Sequence, residues 1–268
     1  MKTRIEQRFQ ELARRRQKGF IAYITAGDPS LEATEDFVMR LAEAGVDIVE
    51  LGIPFSDPLA DGRVNQESAA RALEAGATPA RVLETVARIR SRCEIPMMGY
   101  TYMNPVHARG AGRFMKEASA AGLDGLLLLD LPVEEADPYR VLLRKHHLDH
   151  IALVTPTTPD ARIAKIVKSA TGFVYCVSRE GVTGTQNQLS PAAIDLVRRT
   201  KSMTALPVAL GFGIGTPDHA RTAAAAADAV VVGSAIVNRL HEAPDTAAGR
   251  QAAADWVRTL IDAVKGVS

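Results

Sequence analysis

The sequence predicts a single α/β domain, a closed (β/α)8 barrel with an extra N-terminal helix. Three observations support this fold class. Eight short apolar runs alternate with amphipathic stretches, the chain of 268 residues has the length that such a barrel needs, and no Pro- or Gly-rich linker divides it. Residues 1–268 are therefore expected to form one domain.

The eight apolar runs are mostly continuous, which is typical of parallel strands covered on both faces. The predicted strands are 20–27, 47–54, 95–102, 125–132, 150–157, 173–179, 207–215 and 228–237. Leu, Ile, Val or Ala at i, i+3 and i+4 predict helices at 31–45, 78–92, 111–122, 137–147, 160–171, 191–204 and 216–226. An open doubly wound sheet would show a similar alternation, but the turn after the first strand reads TAGDPS rather than G-x-G-x-x-G. The closed barrel is therefore favoured.

The composition argues against several classes of protein. The 32 basic and 31 acidic residues give a formal net charge of +1, which provides no electrostatic footprint for nucleic acid or an anionic membrane. Cys93, Cys176 and the six histidines show no metal-ligand spacing. No apolar run reaches the ~18 residues of a membrane span, and the N-terminal stretch has no secretory core. We expect a cytoplasmic protein without a bound metal.

Two connections, 55–77 and 180–190, are longer than a crossover between a strand and its helix needs. Each follows a predicted strand, the second and the sixth. In a barrel such connections lie on the C-terminal face, where active sites are built. We therefore expect both to be lids or binding loops.

Glu50 stands between Val49 and Leu51 in the second predicted strand. A carboxylate in such a strand is costly unless it has a partner or a function, so a buried ion pair and a general acid or base are both open readings. Asp61 precedes Gly62, a pair that also marks an ordinary turn. Its loop leaves the strand that carries Glu50, however, so the two carboxylates can converge on one ligand.

Glycine-bearing turns follow the late strands, at 181–184, 211–215 and 232–236. Barrels often bind phosphate with the loops after strands seven and eight and the N-terminus of a short helix. Backbone N–H groups supply the donors, and glycine lets the anion approach closely. Gly233 and Ser234 would open such a helix, so these turns predict a phosphate site.

Aromatic residues stand at or near the predicted strand ends: Tyr100 and Tyr102 in the third strand, Tyr175 in the sixth and Phe212 in the seventh. Each alone would more often pack in the core than contact a ligand. Together they suit a flat aromatic substrate, whose faces favour ring contacts. Asp130, at the end of the fourth strand, is expected to order a loop or to cap a helix.

Seven segments resemble the tryptophan synthase alpha subunit family, in the same order and over essentially the whole chain. They are YITAGDP (23–29), VELGIPFSDPLADG (49–62), DLPVEE (130–135), TPTTPDARI (155–163), SREGVTG (178–184), GFGIGTPDHA (211–220) and VVGSAIV (231–237). The resemblance implies a (β/α)8 (TIM) barrel that acts in L-tryptophan biosynthesis. It implies a lyase that cleaves indole-3-glycerol phosphate by a retro-aldol reaction to indole and D-glyceraldehyde 3-phosphate, with neither metal nor organic cofactor. The implied partner is a pyridoxal-phosphate beta subunit, in a complex of two alpha and two beta subunits through which indole tunnels.

The same resemblance implies roles for individual residues. Glu50 would be the general acid and base, and Asp61 would accept a hydrogen bond from the indole N–H. Thr183 would hydrogen-bond Asp61 when the loops close, and Asp57 and Pro58 would lie in the loop that meets the beta subunit. The implied substrate contacts are Tyr175, Phe212, Thr183, Tyr23, Tyr100, Leu127, Leu129 and Leu153, and the implied phosphate contacts are Gly184, Gly213, Gly233 and Ser234.

One departure from the family pattern lies just after Asp61. The family usually continues LADG with Pro-x-Ile-Gln, whereas this chain reads Arg-Val-Asn-Gln at 63–66. The loss of the proline frees a backbone dihedral and adds an N–H, and the arginine adds charge near the loop. This departure motivates one alternative, a beta-independent lyase that releases free indole. A second alternative, a subunit that mainly activates its partner, also stays open. The intact Glu50 and Asp61 count against the second.

Overall fold

The structure is a computed structural model, and it describes residues 2–177, 190–211 and 213–267. The strands are β1 (Gly19–Thr25), β2 (Ile48–Gly52), β3 (Met97–Thr101), β4 (Gly125–Leu128), β5 (Asp149–Val154), β6 (Val174–Val177), β7 (Val208–Gly211) and β8 (Ala229–Val232). They run parallel in chain order, and β8 pairs with β1, so the sheet closes into a barrel. The predicted fold class is confirmed.

Helices connect the strands around the outside of the barrel. In the described ranges they are α1 (Arg4–Arg14), α2 (Leu31–Ala44), α3 (Arg63–Glu74), α4 (Pro79–Arg90), α5 (Met103–Arg109), α6 (Ala111–Ala121), α7 (Asp137–Lys145), α8 (Asp160–Ser169), α9 (Pro191–Lys201), α10 (Pro217–Ala226), α11 (Ser234–Glu242) and α12 (Ala247–Lys265). A short 3-10 helix, Val133–Glu135, precedes α7. None of the helices in these ranges is long and apolar enough to cross a membrane.

The sequence predicts one long loop over 55–77, and this prediction is wrong for its second half. Helix α3 occupies 63–74, so the irregular part of the connection ends at Gly62. The helix escapes a search for apolar periodicity because the residues that it buries are small: Ser68, Ala69 and Ala72. The other long connection, 180–190, lies outside the described residues apart from Ser190.

Helix α5 is a second element that the sequence did not predict. Its first residue, Met103, donates its backbone N–H to Oδ1 of Asp130 over 2.7 Å. Asp130 follows β4, so this bond fixes the start of α5 against the neighbouring strand end. The expectation that Asp130 orders a loop or caps a helix is confirmed.

Helix α1 closes the N-terminal end of the barrel. Its residues Ile5, Phe9 and Leu12 belong to the same apolar cluster as inward-facing strand residues such as Ile48. The rings of Phe9 and Phe173 pack with their centroids 5.5 Å apart. In the described part of the chain apolar side chains thus fill this end, and a binding site is expected at the opposite end, where the loops that follow the strands meet.

Candidate active site

A cavity of about 250 Å³ opens at the C-terminal end of the barrel. It is bordered by strand residues of the barrel, by the turns after β7 and β8 and by the first turn of α3. The residues that line it are Tyr23, Glu50, Gly62, Arg63, Val64, Asn65, Tyr100, Tyr175, Gly213, Ile214, Gly233 and Ser234. The barrel thus brings together residues that are up to about two hundred positions apart in the chain. This is expected at the C-terminal face of a barrel, because a site there is built from the ends of several different strands.

Glu50 is the buried carboxyl group of this cavity. It lies in β2 beside Tyr23 of β1 and Met98 of β3, and only 1% of its surface is exposed. Its Oε1 atom has no hydrogen-bond partner among the described residues. Burial, and then the negative charge of Asp61, raise the pKa of Glu50 to about 8. Glu50 is therefore mostly protonated at neutral pH, the state in which it can donate a proton.

Asp61 is held by two tyrosines rather than exposed in the cavity wall. The Tyr100 hydroxyl donates to its Oδ1 atom over 2.6 Å, and the Tyr102 hydroxyl donates to Oδ2 over 2.7 Å. Burial raises the pKa of Asp61, and hydrogen bonds from Tyr100, Tyr102 and Asn65 oppose that rise. The three donors therefore favour the ionised carboxylate in a site that otherwise disfavours it.

The loop that carries Asp61 is tied down on both sides. The Asp61 N–H donates to the carbonyl oxygen of Pro58 over 3.0 Å, and the Gln66 side-chain amide donates to the carbonyl oxygen of Asp61 over 2.9 Å. The Tyr102 hydroxyl also accepts the N–H of Ala60 over 3.0 Å. The loop after β2 is thus joined to β3 and to α3 by hydrogen bonds.

Tyrosine rings form the aromatic part of the wall. Tyr23 and Tyr100 pack edge to face with their ring centroids 4.9 Å apart. Tyr175 is buried, and the negative charge of Glu50 is one cause, after burial, that raises its pKa well above the usual range. Glycines make room for these rings: a Cβ on Gly52 would lie 2.5 Å from the Tyr23 hydroxyl, and one on Gly211 would lie 2.5 Å from the Tyr175 hydroxyl.

The turns after β7 and β8 form a second, polar part of the wall. Gly213 has a φ of +76°, a left-handed conformation that favours glycine, and a Cβ there would meet nothing within 4 Å. The N-cap of α11 is Gly233, which has no side chain with which to cap the helix. The first N–H groups of α11, which begins at Ser234, are therefore free of a side-chain cap and can bind an anion.

The remaining predicted contacts are placed as follows. Leu127 is buried in the inner apolar layer, and Leu129 and Leu153 pack against that layer. They and Tyr102 do not line the cavity. The predictions for Thr183, Gly184 and Phe212 lie outside the described residues.

Sequence reasoning missed part of the cavity wall. The residues that line the cavity but were not predicted as contacts are Gly62, Arg63, Val64, Asn65 and Ile214. The departure at 63–66 was the available signal for Arg63, Val64 and Asn65, since it marked a turn of chain next to Asp61. No pattern in the sequence pointed to Ile214.

Known proteins match this chain over nearly its whole length. A family model described as "Tryptophan synthase alpha chain" matches residues 9–265. The tryptophan synthase alpha chain of Geobacter sulfurreducens is 46% identical over 262 residues, which cover 98% of this chain and 99% of that relative. That of Opitutus terrae is 48% identical over 240 residues, 90% of each chain.

The chain belongs to the tryptophan synthase alpha chain family. Solved structures agree with this. The tryptophan synthase subunit alpha of Legionella pneumophila superposes with a TM-score of 0.90 at 34% identity and covers both chains completely. A tryptophan synthase structure from M. tuberculosis superposes with a TM-score of 0.87 at 31% identity, covering 98% of this chain and 99% of that one.

A tryptophan synthase alpha chain is a carbon–carbon lyase of L-tryptophan biosynthesis. It cleaves indole-3-glycerol phosphate to indole and D-glyceraldehyde 3-phosphate. Membership of the family, over 90% or more of the length of both relatives above, confirms the predicted reaction class and pathway. Neither the beta-independent lyase nor the merely activating subunit is favoured by these relatives, which carry the name of the alpha chain itself.

Proposed function

We propose that the cavity at the C-terminal end of the barrel is where indole-3-glycerol phosphate is cleaved, with Glu50 as the proton carrier. The observation that supports this most strongly is the buried Glu50 carboxyl group, whose Oε1 atom is unpaired among the described residues. It lines the same cavity as Gly233 and Ser234, at the open N-terminus of α11. A proton donor and an anion site in one enclosed space fit a substrate that joins an aromatic ring to a phosphate.

The phosphate group would bind at the turns after β7 and β8. Gly213, Gly233 and Ser234 supply backbone N–H groups and a hydroxyl, and the positive end of the α11 dipole favours the anion. Gly184 remains a predicted fourth contact. The indole ring would then lie toward Tyr23, Tyr100 and Tyr175, with Leu127, Leu129 and Leu153 in and against the apolar layer behind the wall.

Glu50 would act twice in one turnover. The protonated carboxyl group donates its proton to C3 of the indole ring, which leaves the ring as a cation with its charge centred on the nitrogen. The resulting carboxylate removes the proton of the hydroxyl group next to the ring. The bond between indole C3 and the side chain then breaks: its electron pair returns to the ring, and the side chain leaves as the aldehyde. Glu50 ends the cycle protonated, as its pKa of about 8 favours.

Asp61 would stabilise the cationic ring by accepting a hydrogen bond from its N–H. Each carboxylate oxygen has two lone pairs, so Asp61 can accept this bond while Tyr100 and Tyr102 stay bound. A charge placed where charge develops in the transition state commonly contributes about 3 kcal/mol. Phe212 and Thr183 remain predicted neighbours of the substrate and of Asp61.

The loop after β2 would meet the beta subunit, in a complex of two alpha and two beta subunits. Leu59, next to Asp57 and Pro58, is 82% exposed, which is unusual for a large apolar side chain. Beside this loop lies a groove of about 540 Å³ that reaches α4 and α5, with Phe55 and Asn104 among its lining residues. Pyridoxal phosphate would belong to the beta subunit, and this chain would need no cofactor of its own. The two subunits would be cytoplasmic.

The direct test is an assay of indole release from indole-3-glycerol phosphate by the purified chain, with and without a beta subunit. We expect slow release alone and strong activation by beta. An equal, high rate in both assays would contradict the dependence on beta, and no release in either would contradict the proposed function.

A further inference from the structure

Two buried acceptor atoms without a hydrogen-bond partner belong to side chains that line the same cavity. They are Oε1 of Glu50 and Oδ1 of Asn65, each unpartnered within the described part of the chain. Native proteins leave few buried polar atoms unsatisfied, because each costs stability. Glu50 is accounted for by its role as proton carrier. Asn65 is not accounted for by anything in the reaction as described so far.

The orientation of the Asn65 amide is fixed by Asp61. The Asn65 side chain acts as a donor toward Asp61 and lowers its pKa, and the Asp61 carboxylate can only accept. The Asn65 Nδ2 group must therefore point to Asp61, because the flipped amide would set Oδ1 against two carboxylate oxygens. The unpaired Oδ1 atom is thus left for another donor.

The position of Asn65 restricts which donor that can be. Asn65 lies in the first turn of α3 and lines the cavity together with Gly213 and Gly233, the proposed phosphate cradle. The substrate has three donor groups: the indole N–H and two hydroxyl groups on the chain between ring and phosphate. Asp61 takes the N–H, and Glu50 deprotonates the hydroxyl next to the ring. The hydroxyl nearer the phosphate keeps its proton throughout, and none of the contacts proposed above provides an acceptor for it.

We propose that Asn65 is a further substrate-binding residue, whose Oδ1 accepts a hydrogen bond from the hydroxyl group nearer the phosphate. This inference rests on the proposed function, because it takes the substrate from there. It gives Asn65 two tasks at once: Nδ2 positions Asp61, and Oδ1 selects substrates that carry this hydroxyl. The segment 63–66, where this chain departs from the family pattern, then contains a residue that determines substrate specificity.

The test compares two ligands on matched variants of the full chain. One ligand is indole-3-glycerol phosphate, and the other is 3-hydroxy-3-(indol-3-yl)propyl phosphate, which lacks only the hydroxyl in question. Dissociation constants are measured by calorimetry in a Glu50→Gln background, so that neither ligand is cleaved. The variants are Asn65→Leu, which is similar in size, and Val64→Ala, which alters the same turn of α3 without removing a polar atom.

We expect Asn65→Leu to weaken binding of the full substrate by about tenfold more than binding of the deoxy ligand, the factor that corresponds to about 1.4 kcal/mol. The deoxy ligand should lose only the smaller part that comes from the missing Nδ2 contact to Asp61, and its binding also demonstrates that the variant is folded. Val64→Ala should change both dissociation constants by the same factor. Equal losses for both ligands in Asn65→Leu, or no loss for either, would overturn the role of Asn65.

Failure of the proposed function would be recognised separately. Indole release by the chain with its native Glu50 is measured first, in the presence of a beta subunit. Absence of release overturns the proposed function and this inference with it. Release, combined with equal binding losses for the two ligands, overturns only the inference.

Discussion

The Tyr100 hydroxyl donates a hydrogen bond of 2.6 Å to Asp61 and thereby joins β3 to the loop that follows β2. Tyr102, on the same stretch of chain, donates a second bond of 2.7 Å to the other carboxylate oxygen. Both bonds favour the ionised form of Asp61, against the burial that raises its pKa. The tyrosine pair therefore fixes the position of Asp61 and its charge together.

Removing one of these donors should raise the pKa of Asp61 further. A hydrogen bond to a charged group contributes about 1.5–3 kcal/mol, so we expect Tyr100→Phe to move the acidic limb of the kcat profile up by about one pH unit or more. On the acidic side of that limb, turnover should fall by about tenfold and recover as the pH rises. The measurement is kcat between pH 5 and pH 9 in the presence of a beta subunit.

Tyr139→Phe is the matched control for this substitution. The Tyr139 hydroxyl bonds Nε2 of His107 over 3.0 Å, and neither residue lines the cavity. Its pH profile should coincide with that of the unaltered chain. An acidic limb that stays in place in Tyr100→Phe would contradict the role of the tyrosine pair.

Asp61→Asn should have two effects that can be measured together. Loss of the charge that stabilises the indole cation should reduce kcat by at least about tenfold, since tenfold is only about 1.4 kcal/mol. Glu50 should also ionise more easily, because the charge of Asp61 is one cause of its raised pKa of about 8. Activity requires protonated Glu50 and is lost as the pH rises through that value. In Asp61→Asn this loss should begin at a lower pH.

The kcat profile of Asp61→Asn above pH 7 therefore tests the coupling of the two carboxyl groups. A basic limb at the same pH as in the unaltered chain would show that the groups do not interact. A decrease in kcat much smaller than tenfold would contradict the charge role of Asp61.

The sequence was sufficient to predict the barrel and the residue at the centre of the site. Continuous apolar runs report directly on strands buried on both faces, and Glu50 is conspicuous because it interrupts one of them. The same logic fails for α3, whose buried face is made of Ser68, Ala69 and Ala72 and therefore carries little apolar periodicity.

The contacts of Asp61 could not have been predicted from the sequence. Tyr100 and Tyr102 lie 39 and 41 positions away, in β3 and directly after it. The sequence places all three near one end of the barrel, but a hydrogen bond depends on side-chain geometry within a few tenths of an ångström. The unpaired Oδ1 of Asn65 could not have been predicted either, because it depends on whether any donor in the described structure lies within hydrogen-bond distance.

Asp149, at the start of β5, offers a prediction about stability. It is 3% exposed and accepts a hydrogen bond from the Thr3 hydroxyl, and burial raises its pKa to about 6. The folded state thus disfavours the charged form: stability is greatest below the unfolded pKa near 4 and is lost as the pH rises to about 6. Asp149→Asn should therefore increase the free energy of unfolding at pH 8 by about 3 kcal/mol and have little effect at pH 4.

Asp47→Asn is the control, with an effect of opposite sign. Asp47 is also buried, but it accepts the N–H of Phe20 over 2.8 Å and pairs with Lys265 over 2.6 Å. Its charge is therefore compensated, and its loss should destabilise the chain at pH 8. Urea unfolding of both variants at pH 4 and pH 8 gives the comparison. Destabilisation of Asp149→Asn at pH 8 would contradict the account of this buried carboxyl group.

The central claim is that Glu50 carries the proton in the cleavage of indole-3-glycerol phosphate. It is tested most directly by single-turnover cleavage in Glu50→Gln, with the dissociation constant of the substrate measured in parallel. Glutamine keeps the size of the side chain but cannot transfer the proton. We expect the rate to fall by about 10²–10⁴-fold while the dissociation constant changes by less than about threefold. A rate within tenfold of that of the unaltered chain would contradict the claim.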